Sequence, residues 1–235
     1  MILKEMVLLC APSSRTFAYV QALADVGALP QMCYILAEPN EECRVHKKHN
    51  DEENKYFRVN LTLTELLEEF GLPYQVLGVR DANSDTVFEV LKKAACRYII
   101  YSGYGGCILQ ARLFNIGKQF IHIHAGLLPA YRGSTTAYYS ILKERSLGAT
   151  GIFMNDKIDE GQIIMEKSFP LPQGDVNIDY VYEPWIRAQV LAAIAEEYIQ
   201  KGEIQGRDQE DGGDTYFIIH PVLKHMALLM LEKDV

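Results

Sequence analysis

Short apolar runs alternate with amphipathic segments along most of the chain. Seven runs predict β-strands, at Met6–Cys10, Gln31–Ala37, Tyr74–Leu77, Tyr98–Tyr101, Phe120–His124, Gly151–Asn155 and Ile163–Leu171. Segments with helical spacing and capping residues predict helices at Arg15–Val26, Thr62–Phe70, Ser84–Ala95 and from Ser134–Thr136 to about Arg145. This alternation indicates an α/β protein with an open, mostly parallel, twisted sheet of about seven strands and helices on both faces.

The last part of the chain has a different pattern. Asp179–Lys201 predicts a long amphipathic helix, Thr215–Pro221 a short strand and Val222–Leu231 a final apolar segment. We expect residues 1–172 to form the main domain and 173–235 an appendage packed on it. The final segment is predicted to pack on the domain, with a homodimer contact as the alternative.

Histidines end one predicted strand and carboxylates follow another. In Phe120–His124 the two histidines alternate with isoleucines, so they project to the same side of the sheet. A loop with Gly and Pro follows at Ala125–Gly133. The strand Gly151–Asn155 leads into the acidic loop Asp156–Gly161. The region therefore combines imidazole and carboxylate groups in a way that is typical of a reactive site.

Composition narrows the classes of partner and compartment. The net charge of -8, without a basic patch, argues against a nucleic-acid surface. The five cysteines have no Cys-x-x-Cys spacing, so neither a disulfide framework nor a zinc site is indicated, and we expect a reducing cytoplasm. No long apolar run predicts a signal peptide or a membrane span.

Polar residues in Glu38–Asn60 predict a solvated loop, with a lid over substrate as the alternative.

One motif carries a family resemblance. It reads His122-Ile-His124-Ala-Gly-Leu127-Leu128-Pro129-Ala-Tyr131-Arg132-Gly133, followed by Ile158-Asp159-Glu160-Gly161. In order, spacing and strand context it resembles the folate-dependent formyltransferase family, which includes glycinamide ribonucleotide, methionyl-tRNA and sugar N-formyltransferases. The resemblance runs from about Met6 to Leu171 and implies that family's Rossmann-like fold.

Two positions depart from the family pattern. His122 stands where the family has its catalytic Asn, and Ile152 stands where the family often has a His. The motif therefore supports the scaffold more firmly than the reaction.

The resemblance implies an enzyme that transfers a formyl group from N10-formyltetrahydrofolate to a primary amine of a small metabolite, without a metal ion. His124 would donate to the formyl oxygen, Asp159 would orient it or relay a proton, and His122 would offer an N–H in place of the Asn. Among acceptors we favour a nucleotide-linked amino sugar over glycinamide ribonucleotide and methionyl-tRNA.

The same resemblance assigns the binding residues. Those expected to hold the folate are Gly105, Gly106, Cys107, Ile108, Asn155, Asp156 and Lys157. Those expected to contact the acceptor are Ser13, Ser14, Tyr131 and Arg132.

Several alternatives stay open at this point. The scaffold can support a formyl-folate hydrolase, another one-carbon or acyl transfer, or a binding protein without catalytic activity. His122, His124 and Asp159 can also be read as a metal site of two histidines and a carboxylate, which we consider the less favoured interpretation. The glycines after Tyr101 can serve a turn rather than a ligand.

Overall fold

The structure is a computed structural model and describes residues 1–45 and 49–232, with the side chain of residue 232 left out. The strands are β1 Ile2–Cys10, β2 Leu29–Ile35, β3 Tyr74–Val76, β4 Tyr98–Ser102, β5 Gln119–His124, β6 Tyr131–Gly133, β7 Leu147–Phe153, β8 Ile163–Phe169 and β9 Asp214–Tyr216. The helices are α1 Ser14–Asp25, α2 Leu63–Glu69, α3 Asp85–Lys93, α4 Ala111–Phe114, α5 Thr136–Glu144, α6 Glu183–Lys201 and α7 Pro221–Glu232.

The main sheet has seven strands in the order β3-β2-β1-β4-β5-β7-β8. The first five are parallel, and β7 and β8 are antiparallel to their neighbours. The predicted α/β architecture is confirmed. The short loop between β7 and β8 leaves no room for the crossover that a parallel pair needs, so these two strands form a hairpin-like pair.

Apolar cores on both faces of the sheet explain why the central strands are apolar throughout. In β1, Leu8 and Cys10 belong to one buried cluster, while Val7 and Leu9 belong to a second cluster on the opposite face. Every residue of β4 and β7 is buried. This burial fixes the register of the strands whose ends carry the candidate site.

Two short elements lie where the pattern predicted none. The loop after β5 ends in strand β6, which pairs in parallel with β9. Helix α4 has only four residues, too few for a periodic signal.

The predicted helix at Asp179–Lys201 is divided, because a π-helical turn at Ile178–Tyr182 precedes α6.

The C-terminal elements pack on the rest of the chain. Helix α6 contacts α1, β5, β7 and β8, and α7 contacts α5. The division at residue 172 stays a prediction. The expected loop at Glu38–Asn60 includes a 3-10 turn at Glu53–Lys55, and residues 46–48 of it lie outside the described residues. Within the described residues, no helix is long and apolar enough to cross a membrane.

Candidate active site

The site lies where β5 ends and where the loop after β7 returns toward it. One ring nitrogen each of His122 and His124 and one carboxylate oxygen of Asp159 lie within 4.8 Å of one another. The sheet thus brings together three residues that the sequence singled out for catalysis. Two come from the same face of β5, and the third comes from the neighbouring loop.

His124 is buried and held by two opposite contacts. Its Nε2 donates a hydrogen bond of 2.6 Å to the Tyr131 carbonyl oxygen, and its Nδ1 lies 3.4 Å from Oδ2 of Asp159. A carbonyl only accepts, so Nε2 carries the hydrogen and Nδ1 is the nitrogen that exchanges a proton. Burial lowers the pKa of His124, while the charge of Asp159 acts in the opposite direction. The carboxylate therefore supplies the interaction that favours the charged ring.

Asp159 is fixed by its backbone as well as by its carboxylate. Its φ of 56° is in the left-handed region, which an Asp adopts at a cost in free energy. The Gln209 side-chain amide donates to the carbonyl oxygens of Asp159 and Gly161, at 2.7 and 2.8 Å. The Oδ2 atom also accepts 2.8 Å from the Gly133 N–H. These bonds stabilise the loop conformation that directs the carboxylate toward His124.

His122 is neutral in this environment. Burial holds its pKa well below the usual range, and the positive charges of Arg187 and Arg15 lower it further. Its Nδ1 is buried and has no hydrogen-bond partner among the described residues. A neutral ring presents one donor and one acceptor nitrogen, so it offers a single N–H where a side-chain amide offers two.

Three adjoining cavities lie at or beside these residues. A small one, of about 140 Å³, is lined by five residues expected to hold the folate, namely Cys107, Ile108, Asn155, Asp156 and Lys157. A central one, of about 330 Å³, is lined by the predicted Gly105 and Gly106 and by His124. His122 and Asp159 line both, so they stand at the junction between the two.

The third and largest cavity, of about 610 Å³, adjoins the central one and contains the predicted Ser13 and Ser14. Arg15 and Arg187 line both of these cavities. Arg15 Nε donates 3.0 Å to the Ser102 hydroxyl, and its Nη2 donates to the Gly103 carbonyl. Burial and the neighbouring guanidinium lower the pKa of Arg15. Two cationic side chains therefore face the space beside the histidines.

Two residues expected to contact the acceptor lie elsewhere. Tyr131 is 3% exposed and its ring stacks on Tyr216, because β6 pairs with β9 at this point. Arg132 binds the Gln209 side-chain oxygen and the Gly212 carbonyl. Neither residue lines any of the three cavities, and Arg132 supports the Asp159 loop through Gln209.

Arg15, Arg187 and Gln209 were not found from the sequence. Arg15 follows the predicted strand-to-helix turn, so its position at the ligand edge could have indicated a role. Arg187 and Gln209 reach the site from distant parts of the chain, and no local pattern marks them.

Comparisons with known proteins agree with this architecture. The model of the family described as Formyl transferase matches residues 34–182, and the chain belongs to this family. A methionyl-tRNA formyltransferase of Chlorobium phaeovibrioides is 30% identical over 154 residues, which are 65% of this chain and 44% of that protein. One from Synechococcus is 27% identical over 160 residues, 68% of this chain and 48% of that protein. The chain thus spans less than half the length of these relatives.

Solved structures show the same fold. A sugar N-formyltransferase from Shewanella has a TM-score of 0.57 and 18% identity, with 96% of this chain and 87% of that chain covered. A phosphoribosylglycinamide formyltransferase from Anaplasma phagocytophilum has a TM-score of 0.58 and 16% identity, with 91% and 96% covered. At these identities the likeness defines the fold alone.

Proposed function

We propose that this protein transfers a formyl group from N10-formyltetrahydrofolate to a primary amine of a small anionic metabolite. In this reaction a bond forms between the acceptor nitrogen and the formyl carbon, and the bond from that carbon to N10 of the folate breaks. A proton leaves the acceptor nitrogen and reaches N10. Negative charge develops on the formyl oxygen in between, so the site must stabilise an oxyanion.

The observation that carries the proposal is the contact between His124 and Asp159. Because Nε2 is bonded to the Tyr131 carbonyl, Nδ1 is the nitrogen that can donate to the formyl oxygen once the ring takes up a proton. The carboxylate of Asp159, 3.4 Å from Nδ1, stabilises the charge that the ring then carries. His122 supplies a second N–H to the same oxygen. One such donor contributes on the order of 3 kcal/mol to transition-state stabilisation.

The folate is proposed to enter from the small cavity. This cavity is lined by the segment after β4 and by the loop that follows β7, and His122 and Asp159 line it as well. A ring seated there would direct its N10 substituent toward the junction with the central cavity. The family to which the chain belongs supports this choice of carrier.

The acceptor is proposed to occupy the largest cavity. Arg15 makes its hydrogen bonds to neutral oxygens, and the buried Ser14 hydroxyl has no partner among the described residues. Arg187 forms an ion pair of 2.6 Å with Glu183 but leaves its Nε without a described partner. These donors suit phosphate or carboxylate oxygens. A nucleotide-linked amino sugar carries both the amine and the phosphates that this arrangement fits.

We further propose a cytoplasmic enzyme and a homodimer contact through the C-terminal segment. The five cysteines are free thiols, which fits a reducing compartment. Val222 and Met226 of α7 are 60% and 49% exposed, so part of an apolar face is available for contact with a second copy.

A turnover assay with purified protein tests the proposal. Tetrahydrofolate release is measured with the formyl folate alone, with a nucleotide-linked amino sugar, with the free amino sugar and with methionyl-tRNA. We expect release only with an amine, fastest with the nucleotide-linked sugar. Release at the same rate without amine would identify a hydrolase, and no release under any condition would refute the folate assignment.

Arginine variants test the acceptor cavity in the same assay. Arg15→Ala is expected to raise the acceptor KM at least about tenfold with little change in the KM for the folate, because it removes a charged donor. The control is Arg207→Ala, since Arg207 is exposed, pairs with Glu166 and lines none of the three cavities. Equal effects of the two variants on the acceptor KM would contradict the proposal that the acceptor is anionic.

A further inference from the structure

The substitution of His for the expected Asn changes what the cluster can bind. Asn, His and Asp offer only one strong nitrogen ligand, whereas His122, His124 and Asp159 offer two nitrogens and an oxygen within 4.8 Å of one another. Imidazole and carboxylate groups in this combination are a common ligand set for zinc and related ions.

The ligand atoms are available. His124 uses Nε2 for the Tyr131 carbonyl, so its Nδ1 is free to coordinate. The Nδ1 of His122 is buried and makes no hydrogen bond to any described residue. A buried polar atom without a partner costs free energy, and a bound ion would remove that cost.

The surrounding contacts resemble the outer shell of a metal site. A metal-bound His usually donates its second ring N–H to a carbonyl or carboxylate, which is what His124 does toward Tyr131. Ligand atoms around a tetrahedral zinc ion lie about 3.4 Å apart when the bonds are about 2.1 Å long. The 3.4 Å between His124 Nδ1 and Asp159 Oδ2 equals this separation, and a ring nitrogen of His122 lies within 4.8 Å of the other two ligand atoms.

Positive charges near the cluster of His122, His124 and Asp159 limit its affinity for a cation. Arg187 lies close enough to affect both histidines and Arg15 to affect His122, and their positive charges oppose a cation. Glu183 compensates Arg187 through its 2.6 Å ion pair, and Asp159 provides the negative charge within the cluster.

We propose that His122, His124 and Asp159 bind one divalent transition-metal ion of the zinc class, with the remaining coordination position facing the central cavity. The inference concerns binding and does not depend on the proposed reaction, which needs no ion. Because the ion would take up the Nδ1 of His124 and the carboxylate of Asp159, it is expected to inhibit formyl transfer reversibly.

Titration of the full chain with Co²⁺ and Zn²⁺ after chelator treatment tests this proposal. Calorimetry should give one equivalent bound by the wild type, and the Co²⁺ spectrum should show nitrogen and oxygen ligation without the thiolate charge-transfer band that the cysteines would produce. His122→Asn should weaken binding at least about tenfold, since losing even an outer-shell partner typically costs 10–100-fold. The control is His220→Asn, because His220 is exposed and outside the cluster.

Asp159→Asn provides a second test if His122→Asn is unstable, and a circular dichroism melt shows whether each variant is folded. The proposal is overturned if the wild type binds neither ion, if His122→Asn and Asp159→Asn bind as tightly as the wild type, or if the spectrum shows thiolate ligation. Formyl transfer is measured separately in the presence of chelator, so a failure here leaves the proposed reaction untouched.

Discussion

His122 and Ile152 are directly opposite each other on the antiparallel strands β5 and β7. They are the two positions at which the motif departs from the pattern of the family, where Asn and His are expected. Both line the small cavity. Since paired residues on one face of a sheet have Cβ atoms about 5 Å apart, the imidazole expected at position 152 is present from the facing strand.

This pairing predicts that the two departures compensate each other. His122→Asn alone should lower formyl transfer about tenfold or more, because the site would then contain one imidazole instead of two. His122→Asn combined with Ile152→His should recover part of the loss, since it restores the family's arrangement. The kcat of both variants measures this, and a double variant no faster than His122→Asn would show that the departures are unrelated.

The roles of His124 and Asp159 predict large losses on substitution. His124→Ala and Asp159→Asn should each lower kcat at least about 100-fold, because each removes part of the group that stabilises the oxyanion. The matched control is Glu160→Gln, which changes an exposed carboxylate in the same loop. Near-normal turnover of either site variant, with folding verified by circular dichroism, would contradict the assigned roles.

Gln209 is predicted to be a positioning residue. Gln209→Leu removes both hydrogen bonds to the Asp159 loop, so kcat should fall about 10–100-fold while the KM values change little. Gln209→Glu should also lower kcat, because a carboxylate cannot donate hydrogen bonds to the two carbonyls. Gln205→Leu is the control, as Gln205 is exposed and bonds only Glu203 among the described contacts. A rise in KM without a change in kcat would indicate a binding role instead.

The neutral state of His122 predicts how stability depends on pH in the metal-free protein. The unfolded chain takes up a proton on this ring near pH 6.5, whereas the folded chain does not until the pH is well lower. The unfolded state therefore binds more protons in that window, and the free energy of unfolding falls as the pH falls below about 6.5. As the pH falls, the wild type should lose at most about 1.4 kcal/mol of its free energy of unfolding per pH unit more than His122→Asn loses. Urea unfolding of both proteins at about pH 7, 6 and 5 measures it, and equal slopes would refute the prediction.

The alternation of apolar runs and helical segments was sufficient to predict the sheet, because burial on both faces produces strands that are apolar throughout, as in β4 and β7. The closeness of His124 and Asp159 followed from a motif and the order of strands. The loop strand β6 could not be predicted, because its partner β9 is about eighty residues away and each has only three residues. This long-range pairing is also what buries Tyr131.

Local sequence patterns do not predict which side chains reach the site from other elements. Arg187 is one polar residue of a long helix, and Gln209 lies in a turn-rich segment without a motif. Their importance comes from tertiary contacts, namely the cavity beside α1 and the carbonyl oxygens of the Asp159 loop. Local patterns thus indicated His122, His124 and Asp159, which the structure brings together, but not the side chains that reach this cluster from other elements.

Transfer of an isotopically labelled formyl carbon tests the central claim most directly. Labelled N10-formyltetrahydrofolate and a nucleotide-linked amino sugar are incubated with the wild type and with Asp159→Asn, and the label is followed by NMR. We predict that the label leaves the folate and appears as a formamide on the acceptor amine with the wild type, at least about 100-fold faster than with the variant. Label that stays on the folate, or that is released as formate at the same rate with and without acceptor, would contradict formyl transfer to an amine at this site.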